Sequence, residues 1–576
     1  MYGSFYSDNF FLNFITSFIF LSSLFFISFL KIKFNKKEIV LFGNYQPVII
    51  FFLFLSFFTL IFNFIVYFDK IYLFRYITFL YFLLIIFILV KFENSFFSHL
   101  NIKFNKKNYK LLLLFLIFLL IAILPISDVD SVSVHLRSAT YIYENGLSNI
   151  DYNKNFEFLS ISNSEILLLL SPILKSDNFG SQLNFFTIFF LYLISKKNFN
   201  FFLFLFSCPL FIFLISTQKL QLFFSIIFLI LFILIQKDKI KSKSEIFLFI
   251  SLLSFYATGK VYYVLLSLLL LIYFLLNNKD KLKISIIFSL INLIIIFLPI
   301  FLLKYKFFGN PTAPFFDEIF GNSRDIFTNY SLALRESQGW LSDYKNFLIY
   351  IKPFLPTNLA DLSNTLGLIF FLLLFDLKLQ KELNFIPLII IITILSTGQI
   401  LSRYYFESFL LLSYFYLEKR NNYIKLIGNL QLIFVICFTL VFIFMAYVDK
   451  NVIFEKNKYM NKFSYGFYNN NIYNKYADEK IVLTLTQGRA NIFSNKNIIP
   501  RSFLEISDIY NGDKEKFIKF LNDNKINFII SYKDKLQPAC LNEEKIAVIE
   551  EINATRNFLN NLRLESYVYK VDKKNC

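Results

Sequence analysis

Stretches of about 20 residues almost free of charge recur along the chain, separated by short polar loops. That is the length an α-helix needs to cross a bilayer. Phe10–Leu30, Val48–Tyr67 and Ile284–Leu303 are the clearest. The pattern predicts fourteen membrane helices, at about 10–30, 48–68, 72–90, 111–126, 179–195, 199–216, 220–236, 246–258, 261–276, 284–303, 363–377, 384–400, 404–417 and 426–448. The segment Glu165–Leu174 is also apolar, but its ten residues are too short to span. It is expected to lie as a helix at the outer interface. After residue 448 the pattern changes. IVLTL (481–485), INFIIS (526–531) and SYVYKV (566–571) read as strands, and Lys514–Asn522 and Glu550–Leu564 as helices. This alternation predicts a small α/β domain. The fold class is therefore an all-α polytopic membrane protein with a small C-terminal α/β domain.

The loops alternate in charge. Those following the odd-numbered spans, such as KIKFNKKE (31–38), KDKIKSK (237–243) and EKRNNYIK (418–425), together hold 23 Lys or Arg. The short loops on the other side, with their adjoining span ends, hold only Lys70, Arg75, Lys219, Lys260 and Arg403. Cytoplasmic loops carry the excess of Lys and Arg. The N-terminus, the segments 127–178 and 304–362 and the tail 449–576 are thus expected outside, in a multi-pass protein of a bacterial cytoplasmic (inner) membrane.

Composition agrees. The chain is 56% hydrophobic and carries 82 Phe, above the roughly 45–50% apolar content of soluble domains. Its formal net charge of +18 follows the loop pattern, so it is a topology signal and not a nucleic-acid surface; no nucleic-acid partner is expected. Four Cys are too few for a disulfide scaffold. Cys208 and Cys437 fall in apolar runs. Cys540 and Cys576 both fall in the outer tail, where a disulfide between them is permitted; two free thiols are the alternative. The chain shows no Walker motif.

Candidate chemistry sits in the outer loops. The first long loop opens PISDVDSVSVH, with Asp128 and Asp130 directly after a span. In extended backbone two such residues face one side. The pair suits a general base, or a divalent cation such as Mg or Mn. The competing reading is structural, because Asp or Ser before the amphipathic run Ser131–Asn145, closed by Gly146, is an ordinary helix cap. His135 follows on the same run, as a ligand or as a hydrogen-bond partner. The second long loop carries Arg324, Arg335 and the lone Trp340, which suit a phosphate-bearing headgroup or an interfacial anchor belt. Lys219, Lys260 and Arg403 lie at the outer ends of three spans, where polar groups are costly unless they face a cavity or a partner. Lys219 and Lys260 can also snorkel to the interface, and Arg403 can pair with Glu407 four residues on.

Four features together resemble the GT-C glycosyltransferases, many-helix enzymes that use polyprenyl-phosphate-linked sugars. They are SDVDSVSVH opening the first large outer loop, the element SNSEILLLLSPIL (162–174) within it, GNPTAPFF (309–316) in a later outer loop, and RYYFE (403–407) starting a late span before a soluble tail. The resemblance covers about residues 110–448. It implies an inverting transfer from a polyprenyl-phosphate sugar donor to a glycan or lipid acceptor, among membrane lipids at the outer face. Asp128 carries over as catalytic base with Asp130 assisting, and Arg403 as a contact to the donor phosphate. His135, Arg324, Arg335, Lys219 and Lys260 join it as substrate-binding candidates. The chain departs from the family pattern in placing three helices, within residues 1–109, before the span that leads to the acidic loop. Its tail also lacks WWD-like motifs. A polysaccharide polymerase or ligase, and a transporter or flippase, are the alternatives from other classes.

Overall fold

The computed structural model describes residues 9–29, 41–77, 106–148, 156–194, 199–313, 364–375, 386–396, 401–416, 422–447, 467–486, 492–500, 514–532, 541–553 and 562–571, with short stretches between them. Arg324, Arg335, Trp340, Cys540 and Cys576 lie outside the described residues.

The body is helical, and helix occurs within each of the fourteen expected segments. Among the described residues, four helices are long and apolar enough to cross a membrane by themselves: Phe11–Ser28, Gly43–Tyr67, Lys279–Phe308 and Asn422–Tyr447. Others, such as Gln221–Gln236 and Val261–Asn277, are apolar but shorter. The count of fourteen full spans is thus not what the described residues give. One reason is visible at 199–216, expected as a single helix, which breaks into Phe199–Ser207 and Leu210–Ile215 around Pro209. Proline cannot donate into a helix. Beside it the Leu210 amide bonds the Thr365 carbonyl at 2.9 Å.

Local sequence sets the ends. Asn9 caps the first helix, accepting from the amides of Phe11 and Leu12. Ser242 and Glu245 form a capping box, as do Ser162 and Glu165. The outward faces of several helices are apolar: Leu265, Leu268, Ile272, Leu290, Ile294, Ile433 and Phe444 are all exposed. Apolar surface on that scale fits a lipid solvent.

The segment 162–174 corrects the expectation of an interfacial helix. It folds as two short helices, Asn163–Leu167 and Leu170–Ile173, and is buried in the body, with Glu165 only 3% exposed. Its polar start is satisfied by other helices: Asn163 accepts from Asn63 at 2.8 Å and donates to Thr258 at 2.7 Å, and Ser162 donates to the Gly259 carbonyl at 2.5 Å. These bonds allow an apolar segment with a polar edge to sit inside instead of floating at the surface.

The polar groups gather at two ends of the bundle. At one, the Glu245 carboxylate accepts the amides of Phe42 and Lys241, and Lys281 donates to the Ile240 carbonyl, so three basic loops meet. The acidic loop after residue 122 lies with the chain segments around residues 13, 63, 218 and 260 at the other.

The tail contains a five-stranded sheet. Its order runs Ile498–Pro500, Ile481–Thr484, Ile526–Tyr532, Leu562–Val571, Leu541–Asn553, and the first three strands are mutually parallel while the last two join antiparallel. The expected helix at Glu550–Leu564 is corrected. Residues 550–553 end one strand and 562–564 begin the next, paired antiparallel (Glu550 with Glu565, Asn553 with Leu562). The run IAVIEEI is rich in β-branched residues, which favour the pleated ladder.

Candidate functional site

The helix Lys106–Ala122 ends in an irregular stretch that delivers Asp128 and Asp130. Asp130 is already helical (φ −67°, ψ −35°) and leads into a π-helical turn, Ser131–His135, followed by the α-helix Leu136–Asn145. π-turns widen the spacing of side chains and recur at functional sites. The two carboxylates therefore converge through a helix start and not through extended backbone.

They have different jobs. Asp128 Oδ2 accepts from the Ser131 amide at 3.1 Å and the Ser131 hydroxyl at 2.8 Å. It is the cap of the turn, a role the sequence offered to Asp130 or a serine. The Ser131 hydroxyl also accepts the Gln218 amide at 2.9 Å, which ties the loop to the turn 216–220. Asp130 faces the cations. Its Oδ2 accepts from Lys219 Nζ at 2.5 Å and lies 3.8 Å from Arg403 Nη1. The same ammonium stands 3.8 Å from Asp128 Oδ2. The Asp130 side chain is 35% exposed against 12% for Asp128. A divalent cation on the pair would have to displace Lys219.

Lys219 is brought here by the tight loop between Leu210–Ile215 and Gln221–Gln236. It is buried and also packs on the Phe213 ring, 4.9 Å away. Burial and the neighbouring Arg403 lower its pKa, opposed by the two aspartates. Arg403 lies on a 3-10 turn, Ser402–Tyr405, over the Tyr404 ring. Its carbonyl accepts from Gln221 Nε2 at 2.5 Å, which fixes the turn to the start of the helix Gln221–Gln236. The expected Arg403–Glu407 alternative gives way to other partners: Glu407 Oε1 accepts from Ser225 and Tyr262.

His135 and Lys260 form an adjoining layer. His135 Nδ1 bonds Glu165 Oε1 at 3.0 Å inside the body. Burial pulls the imidazole pKa down. The same burial penalises the Glu165 carboxylate, yet the bond from His135, the charge of Lys260 and the Ser162 donors outweigh it and hold that pKa at about 2. Lys260, at the extended junction of Lys243–Gly259 and Val261–Asn277, is lowered to about 8, first by burial. The structure thus gathers Asp128, Asp130, Lys219 and Arg403, sets His135 and Lys260 beside them, and leaves Arg324 and Arg335 outside the described residues.

Sequence reasoning missed Glu165, Ser131, Gln218 and Gln221 as members. The available signals were Glu165 itself, a lone acid in an otherwise apolar run, and the polar stretch STQKLQ (216–221) at a span end, which holds Gln218 and Gln221. It also missed the contact from the tail. The Ile492 amide donates to the Val132 carbonyl at 3.2 Å, and Ile492 packs with Ile126, Val132 and Leu136. The tail therefore rests on the π-turn that directly follows the acids. Ile492→Asp places a charge in this contact and removes an apolar burial of about 1.5–3 kcal/mol. It is expected to undock the tail, read as faster proteolysis of the tail with the helical body intact. Unchanged proteolysis would remove the docking role.

No known family model matches the chain, and neither a curated protein nor a solved structure matches it.

Proposed function

We propose that this chain is a membrane glycosyltransferase of the GT-C type that moves a sugar from a polyprenyl-phosphate donor to a glycan or lipid acceptor at the outer face of the membrane. The observation that carries the reading is the Asp130 carboxylate held by both Lys219 and Arg403 at one end of an apolar helix bundle. A carboxylate and two cations are what an inverting transfer from a lipid phosphate requires. The carboxylate takes the proton of the acceptor hydroxyl as its oxygen bonds the anomeric carbon. The anomeric carbon–phosphate oxygen bond breaks, and the leaving phosphate keeps the electron pair and the charge that the cations stabilise. In this reading the donor phosphate draws Lys219 and Arg403 from Asp130 and so raises the basicity of that carboxylate. The exposure and partners of the pair favour Asp130 as the base, with Asp128 holding the turn.

A transporter is the second reading, favoured by the broken helices at 163–173 and 199–215, since discontinuous helices build transport sites. The assay separates the two. Protein reconstituted in liposomes with polyprenyl-phosphate hexose and a crude envelope acceptor is expected to release polyprenyl phosphate. Movement of the intact lipid across the bilayer with no release would give the transport reading.

Arg403→Lys tests the donor contact. A guanidinium holds two phosphate oxygens in a planar fork that an ammonium cannot reproduce. About a tenfold or greater rise in the donor KM is expected, the 1.4 kcal/mol equivalent of a lost charged hydrogen bond. A silent Arg403→Lys would make Arg403 an anchor only.

The outward placement of the tail follows the Lys and Arg distribution. A reporter active only in the cytoplasm, fused at about residue 460, is expected to stay silent; signal from it would invert the orientation.

A further inference from the structure

The helices Lys243–Gly259 and Val261–Asn277 meet at Lys260, whose backbone is extended (φ −160°, ψ 157°). This junction brings Tyr256, near the end of one helix, against Tyr262 and Tyr263 at the start of the next. Ring centroids lie 4.6 Å apart for Tyr256–Tyr263 and 4.1 Å for Tyr262–Tyr263. Two more helices complete the enclosure. Gln221–Gln236 supplies Ser225, and Phe406–Phe415 supplies Glu407, which is fully buried.

Glu407 is half satisfied. Its Oε1 accepts from the Ser225 hydroxyl at 2.8 Å and the Tyr262 hydroxyl at 3.0 Å. Its Oε2 is buried without a hydrogen-bond partner among the described residues, and so is the hydroxyl of Tyr256, while the Tyr263 hydroxyl stands beside that of Tyr262. Buried polar atoms are paired in native proteins, and a group of unpaired ones points to an occupant. An ionisable residue inside a membrane body carries the same implication. The charged groups acting on this cluster are Lys260 on Glu407 and Arg403 on Tyr263. Neither appears as an ion-pair partner of Glu407 among the described residues.

The donor set defines the occupant. One carboxylate with neutral hydroxyl oxygens is a hard, all-oxygen site of a single negative charge, without nitrogen or sulfur for a transition metal. A divalent ion prefers more carboxylate oxygens, and the two nearby cations oppose any excess positive charge. A singly charged ion balances the carboxylate. The site is also wired to the turn that carries Arg403: the Tyr262 hydroxyl accepts from Gln221 Nε2 at 3.2 Å, and the same amide nitrogen donates to the Arg403 carbonyl at 2.5 Å.

We propose that Glu407, Ser225 and Tyr262, with the unpartnered hydroxyl of Tyr256, bind a small monovalent cation of the sodium class, and that its occupancy steadies the turn carrying Arg403. The binding stands without the transferase reading, whereas the coupling to Arg403 rests on it.

The test uses the full chain in nanodiscs at constant ionic strength, with choline chloride replaced stepwise by sodium or potassium chloride. A ligand that binds the folded state raises the unfolding midpoint with saturation. The wild type is expected to gain a saturable rise with sodium or potassium, and Glu407→Gln to lose it. Tyr256→Phe removes one hydroxyl and no hydrogen bond among the described residues. It is expected to fold and to raise the half-saturating concentration about tenfold, which keeps the proposal testable if Glu407→Gln does not fold. Equal midpoints in choline, sodium and potassium, the result a bridging water would give, overturn the proposal. An undiminished response in Glu407→Gln overturns it too. Asp130→Asn separates the two readings: a sodium response kept in that variant supports the cation site whether or not the wild type transfers sugar.

Discussion

Asp130→Asn is expected to lower sugar transfer by about 10²–10⁴-fold, the contribution of a positioned general base, while the protein still folds and inserts. The substitution keeps the shape and one acceptor oxygen, so Lys219 retains a partner in place of a 2.5 Å ion pair. What it removes is basicity. Asp128→Asn provides the internal contrast. Its carbonyl oxygen can still accept from the Ser131 amide and hydroxyl, the two bonds Asp128 makes in the turn. The expected loss there is that of a weakened cap, about 0.5–2 kcal/mol of local stability, with a correspondingly smaller effect on rate. Initial rates of polyprenyl phosphate release for both variants check this. A dead Asp128→Asn beside an active Asp130→Asn would move the base to Asp128, as the family resemblance has it. Full activity in both would remove the transferase assignment.

Lys219→Met carries the second large effect, on stability. Lys219 is 2% exposed, and its ammonium neutralises Asp130 directly and Asp128 at longer range. Methionine fills similar space but leaves two neighbouring carboxylates to share Arg403. Removing one partner of a buried pair costs about 3–5 kcal/mol, because the remaining charge stays desolvated. Asp130 is a third exposed, so screening places the value at the lower end. Thermal unfolding in detergent is expected to show a clear drop for Lys219→Met and partial recovery in Lys219→Met with Asp130→Asn. The second change removes the charge that the first one orphaned. Coupling of about 0.5–3 kcal/mol between contacting residues is the scale on which such a cycle is read. Additive losses in the double variant would mean that the two side chains do not act on each other, and the site as described would be wrong.

Several site members were legible one at a time. Asp128 and Asp130 stood out as acids directly after an apolar run, and Lys219, Lys260 and Arg403 as cations at the ends of spans. The sequence did not say which acid caps the turn. That depends on where the helical turn begins, and it begins at Val129, one residue after Asp128, a start with no clear sequence mark. The apolar segment 162–174 was legible as too short to span, but its burial required Asn63 and Thr258, residues from two other helices. The end of the strand Leu541–Asn553 is not legible in the sequence, because EEIN with the following residues also fits a helical period, and only pairing with Leu562–Val571 settles it.

By itself the sequence determined that most of the chain is apolar helix, where those helices fall, and that a small mixed domain follows them. These properties come from local quantities: transfer of each side chain from water, periodicity and charge in the adjoining loops, all of which add up residue by residue. Tertiary structure decided which polar groups meet. Gln218 reaches Ser131 across 87 residues, Lys219 reaches Asp130 across 89, and Gln221 reaches Arg403 across 182. No local pattern encodes those partners. They follow from how the helices pack, because leaving a buried charge without a partner carries a large desolvation cost.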